Sequence, residues 1–220
     1  MSAPSSRGHA LSGLYLILDS QASRARPLVE VLKEAASAGA RIFQFRDKTS
    51  SPLEMYRQAT KLRDIAAAVG ALFLVNDRCD IALAVEADGV HLGQEDLPLS
   101  FARTLLGPGR LIGISTHRAD QVKEATTGGA DYLGFGPIFR TASKPDHEPV
   151  VGLAGLREIR ALTPLPVFAI GGVTTGTVQQ AIAAGADGVA VISAIMDAAD
   201  VPGTVRAFMA HLPSAGPPAR

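Results

Sequence analysis

The sequence has no tryptophan, a single cysteine and no excess of either charge. Lys and Arg total 21 and Asp and Glu total 21 in 220 residues. Because the charges balance, no global field attracts nucleic acid or an anionic membrane, so any anion site must be local. Aromatic residues make up only 5% of the chain, which argues against a surface on which the bases of single-stranded nucleic acid would stack. We therefore expect neither nucleic acid nor membrane as a partner.

The lone cysteine, Cys79, excludes an internal disulfide and a cysteine zinc cluster, and it suits a reducing cytoplasm. A buried structural thiol is a commoner role for such a residue than a nucleophile. The N-terminal MSAPSSRGHALSG lacks the apolar run of a signal peptide. Nor do about 18 apolar residues run together anywhere, as a membrane span requires. These absences predict a cytoplasmic protein.

Both ends of the chain are rich in Ser, Pro, Ala and Gly without periodicity. This composition predicts mobile tails at residues 1–12 and 213–220, on either side of one domain at 13–212. The length suits a single α/β barrel or one doubly wound sheet. The sequence leaves the oligomeric state open, and a homo-oligomer is compatible with it.

Between the tails, short apolar or β-branched runs alternate with helix-like segments. The runs are LYLILD (14–19), RIFQFR (41–46), LFLVND (72–77), GVHLG (89–93), LIGIST (111–116), YLGFG (132–136), VFAIGG (167–172) and GVAVIS (188–193). Similar junctions recur, in which a helix end is followed by Gly39, Gly129 or Gly185 in a left-handed conformation and then by a strand. Strict alternation implies parallel pairing. Eight such units predict a single-domain (β/α)8 TIM barrel, with an open doubly wound sheet as the weaker alternative.

A barrel places functional side chains where its strands end and its loops begin, and polar residues gather at those positions. The segment IFQFRDK (42–48) puts Gln44, Arg46 and Lys48 on one face of a strand, because alternate residues point to the same side. The competing interpretation is a half-exposed antiparallel strand with solvated charges.

Two carboxylates follow later strands: Asp77 comes after the third and Asp96 after the fourth. Helix capping or a turn is the commoner role for an isolated Asp at such a place. In a barrel, however, both carboxylates would point into the same mouth beside Arg46, Lys48 and Lys144. Such a group of charges matches the needs of a Mg²⁺-bound polyphosphate. Magnesium prefers a few hard oxygens together with phosphates, while Arg and Lys neutralise the remaining charge.

Glycines and hydroxyls follow the last strands. Gly171-Gly172 and Ile192-Ser193 occupy positions where barrels often hold a phosphate on backbone N–H groups; a tight turn that only glycine tolerates is the alternative. No catalytic role is assigned to His91 or His117, since a lone barrel histidine is more often a hydrogen-bonded structural residue than a base, and no Ser/His/Asp order or metal-type histidine spacing stands out.

With those residues in view, the chain resembles the thiamine phosphate synthase family, also called thiamine phosphate pyrophosphorylase, over residues 14–210. The matching motifs are LYLILD, QFRDK, VNDR, GVHLGQEDLP, IGISTH, GFGPIFRTASK, AIGGV and ISAI. The resemblance implies an enzyme that joins hydroxymethylpyrimidine diphosphate to a thiazole phosphate, with Mg²⁺, and releases thiamine phosphate and diphosphate.

The resemblance also implies roles for individual residues. The pyrimidine diphosphate would be held by Gln44, Arg46, Lys48, Asn76, Ser115 and Lys144. Asp77 and Asp96 would ligate Mg²⁺, and the thiazole phosphate would be held by Thr141, Ser143, Gly172, Ile192 and Ser193. Arg46, Lys48 and Lys144 would be the catalytic cations. Many relatives have Thr in place of Ser143, and the hydroxyl is kept.

Three rival functions remain open on the sequence alone. The related thiazole tautomerase moves protons and needs no diphosphate cage, so the cations and carboxylates favour the synthase. A Schiff-base enzyme using Lys48 needs a drier amine than a neighbour of Arg46 is expected to have. A sensor of thiamine precursors would bind the same ligands without turnover.

Overall fold

The strands of this computed structural model close into one parallel barrel in chain order, from the first strand to the eighth. The structure describes residues 11–22, 26–141 and 149–213. The strands are β1 (Gly13–Asp19), β2 (Ile42–Arg46), β3 (Leu72–Asn76), β4 (Gly89–Leu92), β5 (Leu111–Thr116), β6 (Tyr132–Phe135), β7 (Val167–Ile170) and β8 (Gly188–Val191). The predicted TIM barrel is confirmed, and the open sheet is excluded by the pairing of β1 with β8.

Helices alternate with the strands and cover the barrel. They are α1 (Leu28–Ser37), α2 (Pro52–Ala68), α3 (Cys79–Ala84), α4 (Leu99–Leu106), α5 (Ala119–Gly128), α6 (Gly152–Arg160), α7 (Val178–Ala183), α8 (Ser193–Met196) and α9 (Val201–Met209). The start of α2 illustrates the local signals: the Ser51 side chain accepts a hydrogen bond from the Glu54 N–H, and Pro52 occupies the first turn. No helix among the described residues is long and apolar enough to cross a membrane.

The alternative of a half-exposed antiparallel strand is wrong for residues 42–48. Strand β2 pairs in parallel with β1 and β3, and both of its faces are buried: Phe43 and Phe45 on one, Gln44 on the other. The interior of the barrel therefore receives Gln44, while the phenylalanines pack beneath the helices. The strand ends at Arg46, so Lys48 lies in the loop that follows.

An aromatic layer fills the barrel interior. Tyr15, Tyr132 and Phe168 contact one another, with ring centroids 5.3 to 5.9 Å apart. Glycines make the space for these rings. A Cβ on Gly113 would lie 2.0 Å from the Cζ atom of Tyr132, and one on Gly188 would lie 2.6 Å from Cε1 of Phe168. The layer forms a floor beneath the carboxyl ends of the strands.

Three helix-to-strand junctions place an aspartate directly before an even-numbered strand, β4, β6 or β8. Asp88, Asp131 and Asp187 each accept a hydrogen bond of 2.8 Å from a backbone N–H near the start of the preceding strand. Gly39, Gly129 and Gly185 have φ of 110°, 88° and 105°, as their places at the helix ends predict.

The predicted tails lie largely outside the described residues. Residues 1–10 and 214–220 are not described. Leu11, within the predicted N-terminal tail, is 3% exposed and packs into the core.

Candidate active site

The carboxyl ends of the strands surround a cavity of about 660 Å³. Its lining includes these predicted site residues: Arg46, Lys48, Asn76, Asp77, Asp96, Ser115, Thr141, Gly172, Ile192 and Ser193. Seven of the eight strands, β2 to β8, contribute them from their last residues or from the loops that follow, which is why residues far apart in sequence meet here. Two predicted residues, Ser143 and Lys144, lie outside the described residues.

Gln44 is placed deeper than the other predicted residues. Its side chain is 2% exposed, and its Nε2 atom donates a hydrogen bond of 2.7 Å to the hydroxyl of Tyr15. It lines a separate cavity of about 20 Å³ beneath the large one. Ser115, Gly134, Ile170 and Ala190 line both cavities, so Gln44 lies under the floor of the site.

Arg46 is held in the cavity wall by an ion pair with Asp19. Asp19 ends β1 beside Arg46 at the end of β2, and it is 2% exposed. Its Oδ1 atom also accepts a hydrogen bond of 2.8 Å from the Gln21 N–H. Because the carboxylate is anchored in the loop after β1, the guanidinium has a fixed partner in a partly desolvated place.

The second cation, Lys48, forms an ion pair with Asp77 across the cavity wall. Asp77 has φ of 61°, a left-handed turn that Asp tolerates better than most residues. Burial and the neighbouring Asp96 carboxyl raise the pKa of Asp77, while Lys48 opposes the rise. Asp96 is itself fixed, since its Oδ2 atom accepts a hydrogen bond of 2.7 Å from the Gly93 N–H.

Two adjacent carboxylates in a pocket fit a hard divalent cation. Their mutual repulsion is relieved by a positive charge, and carboxylate oxygens are the ligands that Mg²⁺ prefers. Among the described residues, no group of three or more His, Cys, Asp or Glu side chains could hold a metal by itself. A cation at Asp77 and Asp96 would therefore need further oxygens from water or from a bound phosphate.

The opposite wall is made of backbone and small side chains. Gly171 and Gly172 follow β7 with φ of 91° and 65°, and a Cβ on Gly172 would lie 2.3 Å from the carbonyl oxygen of Arg140. Only glycine allows the loops after β6 and β7 to approach so closely. The short helix α8 begins at Ser193 in the same wall.

The comparison with known proteins decides the family. The model of the family described as thiamine monophosphate synthase matches residues 14–195. The chain belongs to the thiamine monophosphate synthase family. It is an enzyme, a transferase like the thiamine-phosphate synthases that are its relatives.

Individual members of the thiamine monophosphate synthase family match most of the chain. A thiamine-phosphate synthase from Moorella thermoacetica is 46% identical over 193 residues, which cover 88% of this chain and 92% of that protein. One from Chloroflexus aurantiacus is 44% identical over 197 residues, covering 90% and 91%. The solved structure of a thiamine phosphate pyrophosphorylase from Pyrococcus furiosus superposes with a TM-score of 0.82 at 40% identity, covering 91% of this chain and 94% of that one.

Several residues of this family member's site were not predicted from its sequence. Asp19 ends the LYLILD run, so the rule that polar strand ends are functional would have found it. Asp47 lies between the two cations, and its Oδ1 atom accepts hydrogen bonds from the backbone of Thr49 and Ser50, both at 2.9 Å. Gln94 donates to the Ser115 carbonyl oxygen at 2.6 Å. The Asp47 hydrogen bonds stay within the loop after β2, whereas the Gln94 contact joins the loop after β4 to β5, and no sequence spacing reports it.

The residues assigned structural roles are consistent with those roles. His117 places Nδ1 2.6 Å from the carbonyl oxygen of Gly136, and His91 is buried in the barrel. Cys79 is buried at the start of α3, and burial, with nearby Asp80 and Asp96, raises the pKa of its thiol. A raised pKa disfavours the thiolate that a nucleophile requires.

Proposed function

We propose that the chain is a thiamine phosphate synthase, which condenses hydroxymethylpyrimidine diphosphate with a thiazole phosphate, or its carboxylated form, to thiamine phosphate and diphosphate. The observation that carries this proposal is the grouping of Arg46, Lys48, Asp77 and Asp96 on one wall of a single cavity. Two cations beside two carboxylates suit a diphosphate that binds with a divalent metal. The names of the matching relatives, which are thiamine-phosphate synthases, support thiamine phosphate as the product.

In this proposal Asp77 and Asp96 hold Mg²⁺. Bound there together with the ligand's own phosphate oxygens, the ion supplies positive charge to the diphosphate. Lys48 already contacts Asp77, so it lies where it can exchange that partner for a phosphate oxygen. Arg46, Asn76, Ser115 and, from the loop outside the described residues, Lys144 complete the proposed diphosphate site.

The reaction would begin with cleavage of the carbon–oxygen bond to diphosphate. The bonding electron pair goes to the leaving oxygen, so Arg46 and Lys48 stabilise charge that is larger in the transition state than in the ground state. The aminopyrimidine ring donates electron density to the methylene carbon, which favours a dissociative path through a pyrimidine cation. The thiazole nitrogen then uses its lone pair to form the new carbon–nitrogen bond.

That attacking nitrogen carries no proton to remove. The chemistry therefore requires no general base. His91, which is buried and hydrogen-bonded, has a structural role in this proposal. The thiazole phosphate is assigned to Gly172, Ile192 and Ser193, with the Thr141 and Ser143 hydroxyls. Backbone N–H groups at a tight glycine turn are suited to a phosphate.

The Schiff-base alternative is disfavoured by the setting of Lys48. Its side chain is 46% exposed and ion-paired with Asp77, whereas a nucleophilic lysine needs a lowered pKa from burial or from a like charge. A precursor sensor differs from the synthase only in turnover, so an assay of turnover distinguishes them.

The test is diphosphate release by the purified protein supplied with hydroxymethylpyrimidine diphosphate. Release is measured with and without thiazole phosphate and Mg²⁺, and thiamine phosphate is followed by chromatography. We expect release and product formation that depend on both substrates and on Mg²⁺. Tight binding of both substrates with no release would identify a sensor, and binding of neither would remove this substrate assignment.

A further inference from the structure

A chain of hydrogen bonds crosses the interior of the barrel beneath the cavity. Gln44 Nε2 donates to Tyr15 Oη at 2.7 Å, and Tyr15 Oη lies 2.9 Å from Tyr132 Oη. Tyr132 Oη lies 3.1 Å from His91 Nδ1, and His91 Nε2 lies 2.9 Å from Ser115 Oγ. The chain thus joins β2 to β5 through β1, β6 and β4, and it begins and ends at residues assigned to the substrate.

The interior of this chain is closed to solvent. Tyr15 is 2% exposed and Tyr132 is 0% exposed, and burial raises the pKa of both phenols above the ordinary value. Both hydroxyls therefore keep their protons. Each hydroxyl has one proton to donate, so the chain has only two polarities, and reversing one member requires reversing all of them.

The Gln44 amide selects one of these polarities. Because its nitrogen faces Tyr15, Tyr15 receives that bond and donates to Tyr132. Tyr132 then donates to Nδ1 of His91, which leaves His91 in the tautomer with its proton on Nε2. That proton is donated to Ser115, whose own hydroxyl hydrogen is left for the cavity. At the other end, the amide oxygen of Gln44 is left as an acceptor.

We propose that Tyr15, Tyr132 and His91 are positioning residues that fix Gln44 as a hydrogen-bond acceptor in the small cavity under the floor and Ser115 as a donor where the two cavities meet. The inference rests on the proposed function for its ligand. An aminopyrimidine presents an exocyclic N–H donor for Gln44, while a ring nitrogen or a diphosphate oxygen accepts from Ser115. A ring with a carbonyl in place of the amine would place its carbonyl oxygen, an acceptor, against the amide oxygen of Gln44, which is also an acceptor.

Discrimination against the carbonyl ring would therefore depend on residues that never touch the ligand. A buried acceptor that faces another acceptor forms no hydrogen bond, but it still carries the free-energy cost of its removal from water. Replacing Tyr132 with Phe cuts the chain and leaves the aromatic packing. Gln44 can then turn its amide without reversing four other groups, so the amine should lose part of its advantage.

The first test measures equilibrium binding by calorimetry, in the absence of thiazole phosphate, with hydroxymethylpyrimidine diphosphate and with its analogue in which a carbonyl replaces the amine. In Tyr132→Phe and in Tyr15→Phe, we expect the preference for the amine to fall about tenfold, the effect of one buried hydrogen bond. Tyr56→Phe is the matched control, since Tyr56 is 41% exposed on α2. An unchanged preference in the two core variants would overturn the proposal.

The second test needs no ligand. The nitrogen chemical shifts of ¹⁵N-labelled histidine distinguish the two imidazole tautomers, and the His91→Gln variant assigns the signal of His91. We expect a proton on Nε2 and none on Nδ1, and the opposite tautomer would overturn the polarity. A wild-type protein that binds neither ring would refute the substrate assignment, and with it the inference, whereas a correct tautomer with unchanged preference would refute the positioning role alone.

Discussion

At the scale of single residues, the cations of the cavity are already held by carboxylates. Arg46 is paired with the buried Asp19 and Lys48 with the half-buried Asp77. The first pair is anchored deep in the wall and keeps the guanidinium in place, while the second involves a lysine that is 46% exposed. Arg46 is therefore the preorganised cation, and Lys48 is the one with freedom to change partner.

Replacing Arg46 with alanine removes the preorganised charge. We expect Arg46→Ala to slow turnover by about 10² to 10³, the effect of one lost transition-state charge partner. The measurement is the single-turnover rate at saturating substrates. Arg57→Ala, on the exposed face of α2, is the control, and a rate for Arg46→Ala within a few-fold of that control would remove Arg46 from the catalytic site.

The carboxylate pair makes a separate prediction. In Asp77→Ala, one of two proposed Mg²⁺ ligands is lost, so the Mg²⁺ concentration needed for half-maximal activity should rise sharply, by about tenfold or more. The exposed Asp80, paired with Arg78, supplies the control variant Asp80→Ala. A Mg²⁺ titration of Asp77→Ala that overlays the wild-type curve would exclude Asp77 as a ligand.

From strand-end positions in the sequence we could predict that polar residues meet at one mouth of the barrel, and most of them do line one cavity. Those positions did not predict the contacts that the residues make. Gln94, in the loop after β4, donates to the Ser115 carbonyl oxygen in β5, and sequence spacing does not encode a contact between residues 21 positions apart. The depth of Gln44 was also missed: alternation along IFQFRDK gives the face correctly but not the distance from the mouth. Gln44 precedes Arg46 by one strand repeat, and that repeat places it under the floor.

At the scale of secondary-structure elements, aspartates before even-numbered strands hold the base of the barrel together. Asp187 accepts from the Val167 N–H and pairs with Arg160 of α6, both at 2.8 Å. Asp131 accepts from the Ile112 N–H and pairs with Arg103 of α4. Each carboxylate thus joins a strand, the strand before it and a helix.

Asp131→Ala should remove one such junction. The Ile112 N–H loses its partner, and Arg103 loses its carboxylate, so we expect a loss of about 1 to 3 kcal/mol of unfolding free energy. Urea denaturation followed by circular dichroism measures it. Asp64→Ala is the control, because Asp64 is 60% exposed and forms its ion pair with the adjacent Arg63; an equal effect of the two variants would contradict the structural role.

The loop after β2 gives stability a pH dependence. Burial alone would raise the pKa of Asp47, but the hydrogen bonds from the Ser50 and Thr49 backbone outweigh it and lower the pKa. The stabilisation is therefore complete above the unfolded carboxyl pKa of about 3.9 and is lost as pH falls through the folded pKa. We expect wild type to be more stable than Asp47→Asn at about pH 7 and the difference to shrink toward about pH 3. A difference that stays constant in urea melts across this range would contradict the assignment.

All eight strands were predictable because each is a short apolar run between turn residues. Their ends were less so: the predicted runs 72–77, 167–172 and 188–193 extend past the last residues of β3, β7 and β8. Residues that leave a strand turn toward the cavity, so the local pattern does not separate the last strand residue from the first loop residue.

At the scale of the whole molecule, alternation along the chain does not decide between a closed barrel and an open sheet. Closure needs β1 and β8 to meet, and they do so with Gly13 opposite Gly188. A Cβ on Gly188 would lie 2.4 Å from the Gly13 carbonyl oxygen. Gly13 and Gly188 lie at opposite ends of the domain in sequence, so their pairing is visible only in the folded structure.

Close packing against a glycine also links the stability of the barrel to the candidate active site. Gly113 makes room for the ring of Tyr132, which belongs to the hydrogen-bond chain. A Cβ at Gly113 would lie 2.0 to 2.4 Å from three atoms of the Tyr132 side chain, and neither the strand nor the buried tyrosine can move freely. Gly113→Ala should therefore cost about 1 to 3 kcal/mol or more of unfolding free energy. It should also weaken binding of the pyrimidine ligand in calorimetry, since Tyr132 is displaced. Gly109→Ala is the matched control, because a Cβ there meets nothing within 4 Å; equal stability of the two variants would show that the aromatic floor tolerates displacement and does not couple the core to the cavity.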